Sequence, residues 1–143
     1  MDGNTELLNY IYQNSQMGVD TIHQLIKIVE DTDFNKQLCS QLNEYTSLNA
    51  SAQEKLIELG QDEKGIGNML KISTYMSISM KTWMDNSPCH ISEMLIQGST
   101  MGIIDATKNI QKYSDANKDI LKLAQRLLKT EQTNIEQLKH FLK

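Results

Sequence analysis

The chain has 143 residues, of which 39% are hydrophobic and 22% charged; that is one domain of ordinary size, able to bury a core without metals or disulfides, and too apolar to be disordered. A net charge of -4 and a pI near 5.3 speak against a nucleic-acid partner, which calls for a basic face. Two distant cysteines, Cys39 and Cys89, exclude a disulfide scaffold, and no run of apolar residues is long enough to span a membrane.

The first residues, MDGNTELL, contain neither the basic segment nor the apolar stretch of a signal peptide, so a reducing cytoplasm is the expected location. A single proline, Pro88, points to long helices, because helix interiors exclude proline. The first predicted helix runs over about residues 5–31. Its apolar stripe is Leu8, Ile11, Ser15, Gly18, Ile22, Leu25 and Val29, in alternating steps of three and four. Asp31-Thr32-Asp33 reads as a turn and cap. A second helix follows over about 34–59, with the stripe Leu38, Leu42, Tyr45, Leu48, Ala52, Leu56 and Leu59, and Gly60 in the place of a C-cap glycine. So short a connection predicts an antiparallel hairpin.

Residues 61–86 fit both a helical and an alternating period, and are read as a long, helical crossover. Ser87-Pro88 starts a third helix over about 88–113, whose stripe is Ile91, Leu95, Gly98, Gly102, Ala106 and Ile110. Ser114 is the expected cap of a fourth helix, about 115–142, with the stripe Ile120, Leu123, Leu127, Glu131, Asn134, Leu138 and Phe141. Residues 1–60 carry three basic and nine acidic side chains, residues 114–143 six and four. Neighbouring helices of complementary sign account for this; the functional alternative is a basic strip for an acidic partner. The fold class expected is all-α, one domain, a four-helix bundle with one long crossover between helices two and three.

The last helix, LAQRLLKTEQTNIEQLKHFL, resembles that of the ferritin-like and rubrerythrin-like proteins, in which an inward Glu-x-x-His is followed by Ile-x-x-Leu. Here the pair is Glu131 and Asn134, followed by Ile135 and Leu138. The N-terminal hairpin ending in Leu-Gly, and Trp83 ahead of helix three, are similar to the small bacterial bundles of that family. The resemblance implies an antiparallel ferritin-like bundle. It also implies a di-iron site built from one Glu on each of two helices and a Glu-x-x-His on each of the others. The ligands of that pattern are degenerate here. Helix one offers Ser15, Met17 and Gly18, helix two has no Glu-x-x-His, helix three offers Gly98 and Ser99, and Asn134 replaces the histidine.

Four residues remain as metal candidates: Glu131, Asp105, His90 and Glu93. His90 and Glu93 share a face at the start of helix three, beside Cys89, whose thiol sits at a helix N-terminus; the ordinary reading is a capped helix start. Asp105 faces either Glu131, forming a carboxylate pair, or solvent. Glu131, Asn134, Tyr45 and Ser15 form a candidate polar core that fixes helix register. A ligand position, or a helix phase that leaves Glu131 solvated, are the alternatives. Met69, Met76, Met80 and Trp83 are a candidate dimer interface or apolar pocket, or plain core. His23, His140 and Cys39 are assigned no role. The function expected is that of a non-enzymatic binding or interaction protein, a homo-oligomer (first of all a dimer), with no cofactor and neither nucleic acid nor membrane as partner. The alternatives are a metal-dependent oxidoreductase or stress protein with iron or manganese at a nonstandard site around Glu131, with Asp105 or Glu93, and a bundle binding an apolar small molecule.

Overall fold

The computed structural model describes residues 3–61 and 85–143. It contains four long helices, α1 (Gly3–Ile28), α2 (Thr32–Glu58), α3 (Pro88–Lys112) and α4 (Lys118–Leu138), and a short 3-10 turn, Lys139–Phe141. No strand occurs among the described residues. Residues 62–84, and with them Met69, Met76, Met80, Trp83 and most of the expected crossover, lie outside the described part.

Each boundary has a local cause. α1 stops at Ile28 rather than near residue 31, because Asp31 is the N-cap of α2 and adopts extended backbone there (φ -64°, ψ 122°). Its carboxylate accepts from the Phe34 amide at 2.8 Å. The last carbonyls of α1 are not left bare. The side-chain amide of Asn35 donates to Ile26 at 3.1 Å and Val29 at 3.4 Å, and that of Asn86 donates to Ile28 at 2.9 Å. α2 ends at Glu58, with Gly60 in the left-handed region (φ 71°). The Gly60 amide bonds to Ile57 and the Gln61 amide to Leu56, both at 2.9 Å, the paired closure of a Schellman motif. Leu59, expected on the buried stripe, lies beyond the helix and is exposed.

α3 begins as expected, with Ser87 accepting from the His90 amide at 3.3 Å and Pro88 in the first turn. The expected cap of α4 is corrected. Residues 113–116 form a turn closed by the Ala116 amide on the Tyr113 carbonyl, and the N-cap is Asn117, not Ser114. Asn117 donates its backbone N–H to Asn4 Oδ1 at 2.7 Å, which ties the start of α4 to the start of α1.

α1 packs along α2 and α3 along α4; α1 and α2 both also touch α4, and α1 touches α3. The core between them is Leu7, Leu8, Ile11, Leu25, Phe34, Leu38, Leu48, Leu56, Ile91, Ile120, Leu127 and Leu138, all but sealed from solvent. The predicted stripes of α1, α2 and α4 are largely the buried ones; Gly18, Leu42 and Phe141 are only part-buried, Gln41 is buried beside Leu42, and Leu59 is exposed. α3 differs: Gly98 is exposed with open space where a Cβ would sit, and the buried position is Ser99. The seam therefore steps from Leu95 to Ser99, Gly102 and Ala106. No helix among the described residues is long and apolar enough to cross a membrane.

Candidate functional site

Midway along the helices the apolar core gives way to a polar cluster. Glu131 on α4 is 3% exposed, Asn134 one turn later 3%, and Tyr45 on α2 7%. The Tyr45 hydroxyl donates to Glu131 Oε1, and Asn134 Nδ2 donates to the Tyr45 oxygen at 3.2 Å. The Ser99 hydroxyl on α3 hydrogen-bonds both Glu131 and Tyr45. Three helices thus converge on one carboxyl group.

Two glycines make room for it. A Cβ on Gly18 of α1 would lie 2.7 Å from the Tyr45 ring, and one on Gly102 of α3 would lie 2.8 Å from Glu131 Oε2. Both are tighter than carbon allows. The small residues of the α1 and α3 stripes therefore seat the polar cluster and are not merely points of helix approach.

Burial pushes the Glu131 carboxyl up from 4.5 to about 7; hydrogen bonds from Tyr45 and Ser99 pull the other way, less strongly. Burial, and next the negative charge of Glu131, raises Tyr45 well above its usual value. Tyr10 on α1 is likewise raised, by burial first and then by the charges of Asp105 and Glu131. At neutral pH both phenols are O–H donors.

The sequence-predicted residues are brought together only in part. Glu131, Asn134 and Tyr45 meet. Ser15 is fully buried but belongs to a different contact: its hydroxyl donates to the Ile11 carbonyl at 2.7 Å and accepts from Asn49 at 3.3 Å, linking α1 to α2. Asp105 and Glu93 are exposed, and His90 and the free Cys89 are part-buried in the first turn of α3. Among the described residues no three His, Cys, Asp or Glu side chains gather to hold a metal ion.

A di-iron centre needs several carboxylates and imidazoles on facing helices. Around Glu131 stand a phenol and a hydroxyl, which donate to the carboxyl, and a primary amide, which donates to the phenol oxygen. The described residues do not fit the metal site that the ferritin-like resemblance implies.

Sequence reasoning named Ser99 with Gly98 at the expected ligand position but gave it no part in the polar core, because Gly98 beside it satisfied the same spacing. It missed a second polar region between α2 and α4. There Arg126 Nε meets Glu44 Oε1 at 2.9 Å and its Nη2 donates to Ser47 Oγ at 2.9 Å. Next to this pair an open groove of about 310 Å³ is lined by Gln41, Lys129, Thr133 and Asn134, among others. The clustering of small polar residues at 40, 41, 130, 133 and 137 on the two helices was the available signal.

Compared with known proteins, the chain matches no family model, no curated protein and no solved structure.

Proposed function

We propose that the chain is a ferritin-like, antiparallel four-helix bundle that works as a non-enzymatic binding or interaction protein, with a hydrogen-bonded cluster in place of a di-iron centre. The antiparallel arrangement is supported for the first pair by its contacts: Ile26 with Asn35, Gly18 with Tyr45, and Tyr12 with Asn49. Residue numbers rise on one helix as they fall on the other. The observation that carries the functional reading is the engagement of Glu131 by protein donors on two other helices. An iron-binding carboxylate also accepts hydrogen bonds, but it shares the metal with further carboxylates and imidazoles; the neighbours of this one are the Tyr45 phenol, the Ser99 hydroxyl and the Asn134 amide.

Metal analysis of protein purified from iron- and manganese-supplemented medium tests the reading. Wild type and Glu131→Gln should both carry far less than one metal per chain. Near-stoichiometric iron or manganese in wild type that vanishes in Glu131→Gln would replace it with the metal-dependent oxidoreductase.

A homodimer belongs to the same proposal. Met101 and Ile104, about one turn apart on α3, are 66% and 49% exposed, which suits a helix face with a partner better than one left in water. Light scattering should give twice the chain mass of 16.3 kDa; a species of single-chain mass at working concentration removes the dimer.

A further inference from the structure

We propose that the groove between α2 and α4 is a binding site for a small carboxylate-bearing molecule. At about 310 Å³ it is at the lower end of the roughly 300–1,000 Å³ that small-molecule sites occupy. Its chemistry is that of a donor surface. Glu44 is neutralised by Arg126, whose Nε bonds it at 2.9 Å, and a second guanidinium nitrogen is taken by Ser47 at 2.9 Å. The charge left over in the groove is the ammonium of Lys129, which forms no ion pair among the described residues.

The second observation is Gln41. It is only 3% exposed and lines the groove, yet its Nε2 has no hydrogen-bond partner among the described residues. A buried amide donor left without an acceptor loses its hydration with nothing in return, so such groups are rare unless something else completes them. An amide and an ammonium without partners among the described residues, and the Thr133 hydroxyl, belong to residues that line one recess. What they lack is an acceptor carrying about one negative charge, and a carboxylate supplies that. A phosphate dianion brings a second charge towards Glu44.

The floor of the groove includes Asn134, the residue that donates to the Tyr45 hydroxyl above Glu131. A molecule seated there touches the buried cluster through one shared side chain. The inference rests on the reading of the chain as a binding protein and gives that reading a ligand class.

The test is a titration of the ¹⁵N-labelled full chain with succinate and with glutamate, at fixed pH and ionic strength. Phosphate and chloride are run in parallel, and the Gln41 side-chain amide is the probe. The expected result is a saturable shift of that amide in the millimolar range, with affinity about tenfold lower in Lys129→Gln. Lys129 is exposed, so this variant keeps the fold; Gln41→Leu, checked for helicity and followed through the side-chain amide of Asn134, which also lines the groove, should lose the saturable shift as well. A Gln41 amide that does not move, or that moves equally with chloride, overturns the site. Tighter binding of phosphate overturns the carboxylate assignment. A metal-free protein that ignores every carboxylate keeps the binding-protein reading and loses only the groove.

Discussion

Gly18, Gly98 and Gly102 look alike in the sequence, each at a stripe position of a long helix, and the structure separates them by what a methyl group would meet. At Gly98 it meets nothing within 4 Å. Alanine there removes backbone freedom from the unfolded chain and costs the folded one nothing, so Gly98→Ala should stabilise by about 0.5–1 kcal/mol. At Gly18 the same methyl falls 2.7 Å from the Tyr45 ring atom next to its Cβ, a part of the side chain that moves only with the helix. Overpacking of this kind costs about 1–3 kcal/mol, which exceeds the propensity gain, so Gly18→Ala should destabilise on balance. Urea midpoints of the two variants, measured side by side, should shift in opposite directions; parallel shifts would show that Tyr45 does not fill the space at Gly18.

At the scale of the elements, what was legible depended on whether a residue's neighbours lie in its own helix. The stripes of α1, α2 and α4, the Asp31 and Ser87 caps and the Gly60 stop depend on near neighbours, and spacing and residue type suffice for them. The start of α4 does not: Asn117 is held by Asn4 from the far end of the chain, and no local signal separates it from Ser114. The phase of α3 slipped for a related reason. Gly98 and Ser99 are both small, and the choice between them is made by Tyr45 and Glu131 on other helices. The candidate site was legible where it lies on the strongly periodic α4, as Glu131 and Asn134. It was illegible where it needs a tertiary partner, as with Ser99, Tyr10 and the orphaned amide of Gln41. Charge was a coarse guide. The acidic first half and basic last helix do meet in Glu44–Arg126, but the neighbouring α2–α4 pair, Lys55–Asp119 at 2.8 Å, has the signs reversed. Both pairs are exposed enough to add little to stability.

For the whole molecule, the central cluster makes stability depend on pH with an unusual sign. Glu131 has a folded-state value near 7 against 4.5 unperturbed. Below about pH 4.5 the carboxyl is protonated in both states, and burial is not penalised. Between about 4.5 and 7 the unfolded chain gives up the proton while the folded one keeps it, so stability falls as pH rises. Above 7 both states are ionised and the loss is complete, at most about 3 kcal/mol by the rule of 1.36 kcal/mol per pH unit. The groups facing Glu131 do not mask this. Tyr45 on α2 and Tyr10 on α1 are raised and titrate far above the window, Ser99 and Gly102 on α3 are neutral, and Asp105 on α3 is exposed. Asp119, lowered by Lys55, and Asp85, lowered by the Ser87 backbone, act with the opposite sign. Their contributions are present above their unfolded value of 3.8 and are lost only as pH falls below it. Glu131→Gln keeps an acceptor for Tyr45 and has nothing to ionise. Urea unfolding at pH 5 and pH 8 should therefore show wild type losing stability across the interval and Glu131→Gln nearly flat, with the variant the more stable of the two at pH 8. Parallel profiles would mean that the Glu131 carboxylate is ionised at no cost at the centre of the four helices, which its burial among Tyr45, Ser99 and Gly102 does not allow.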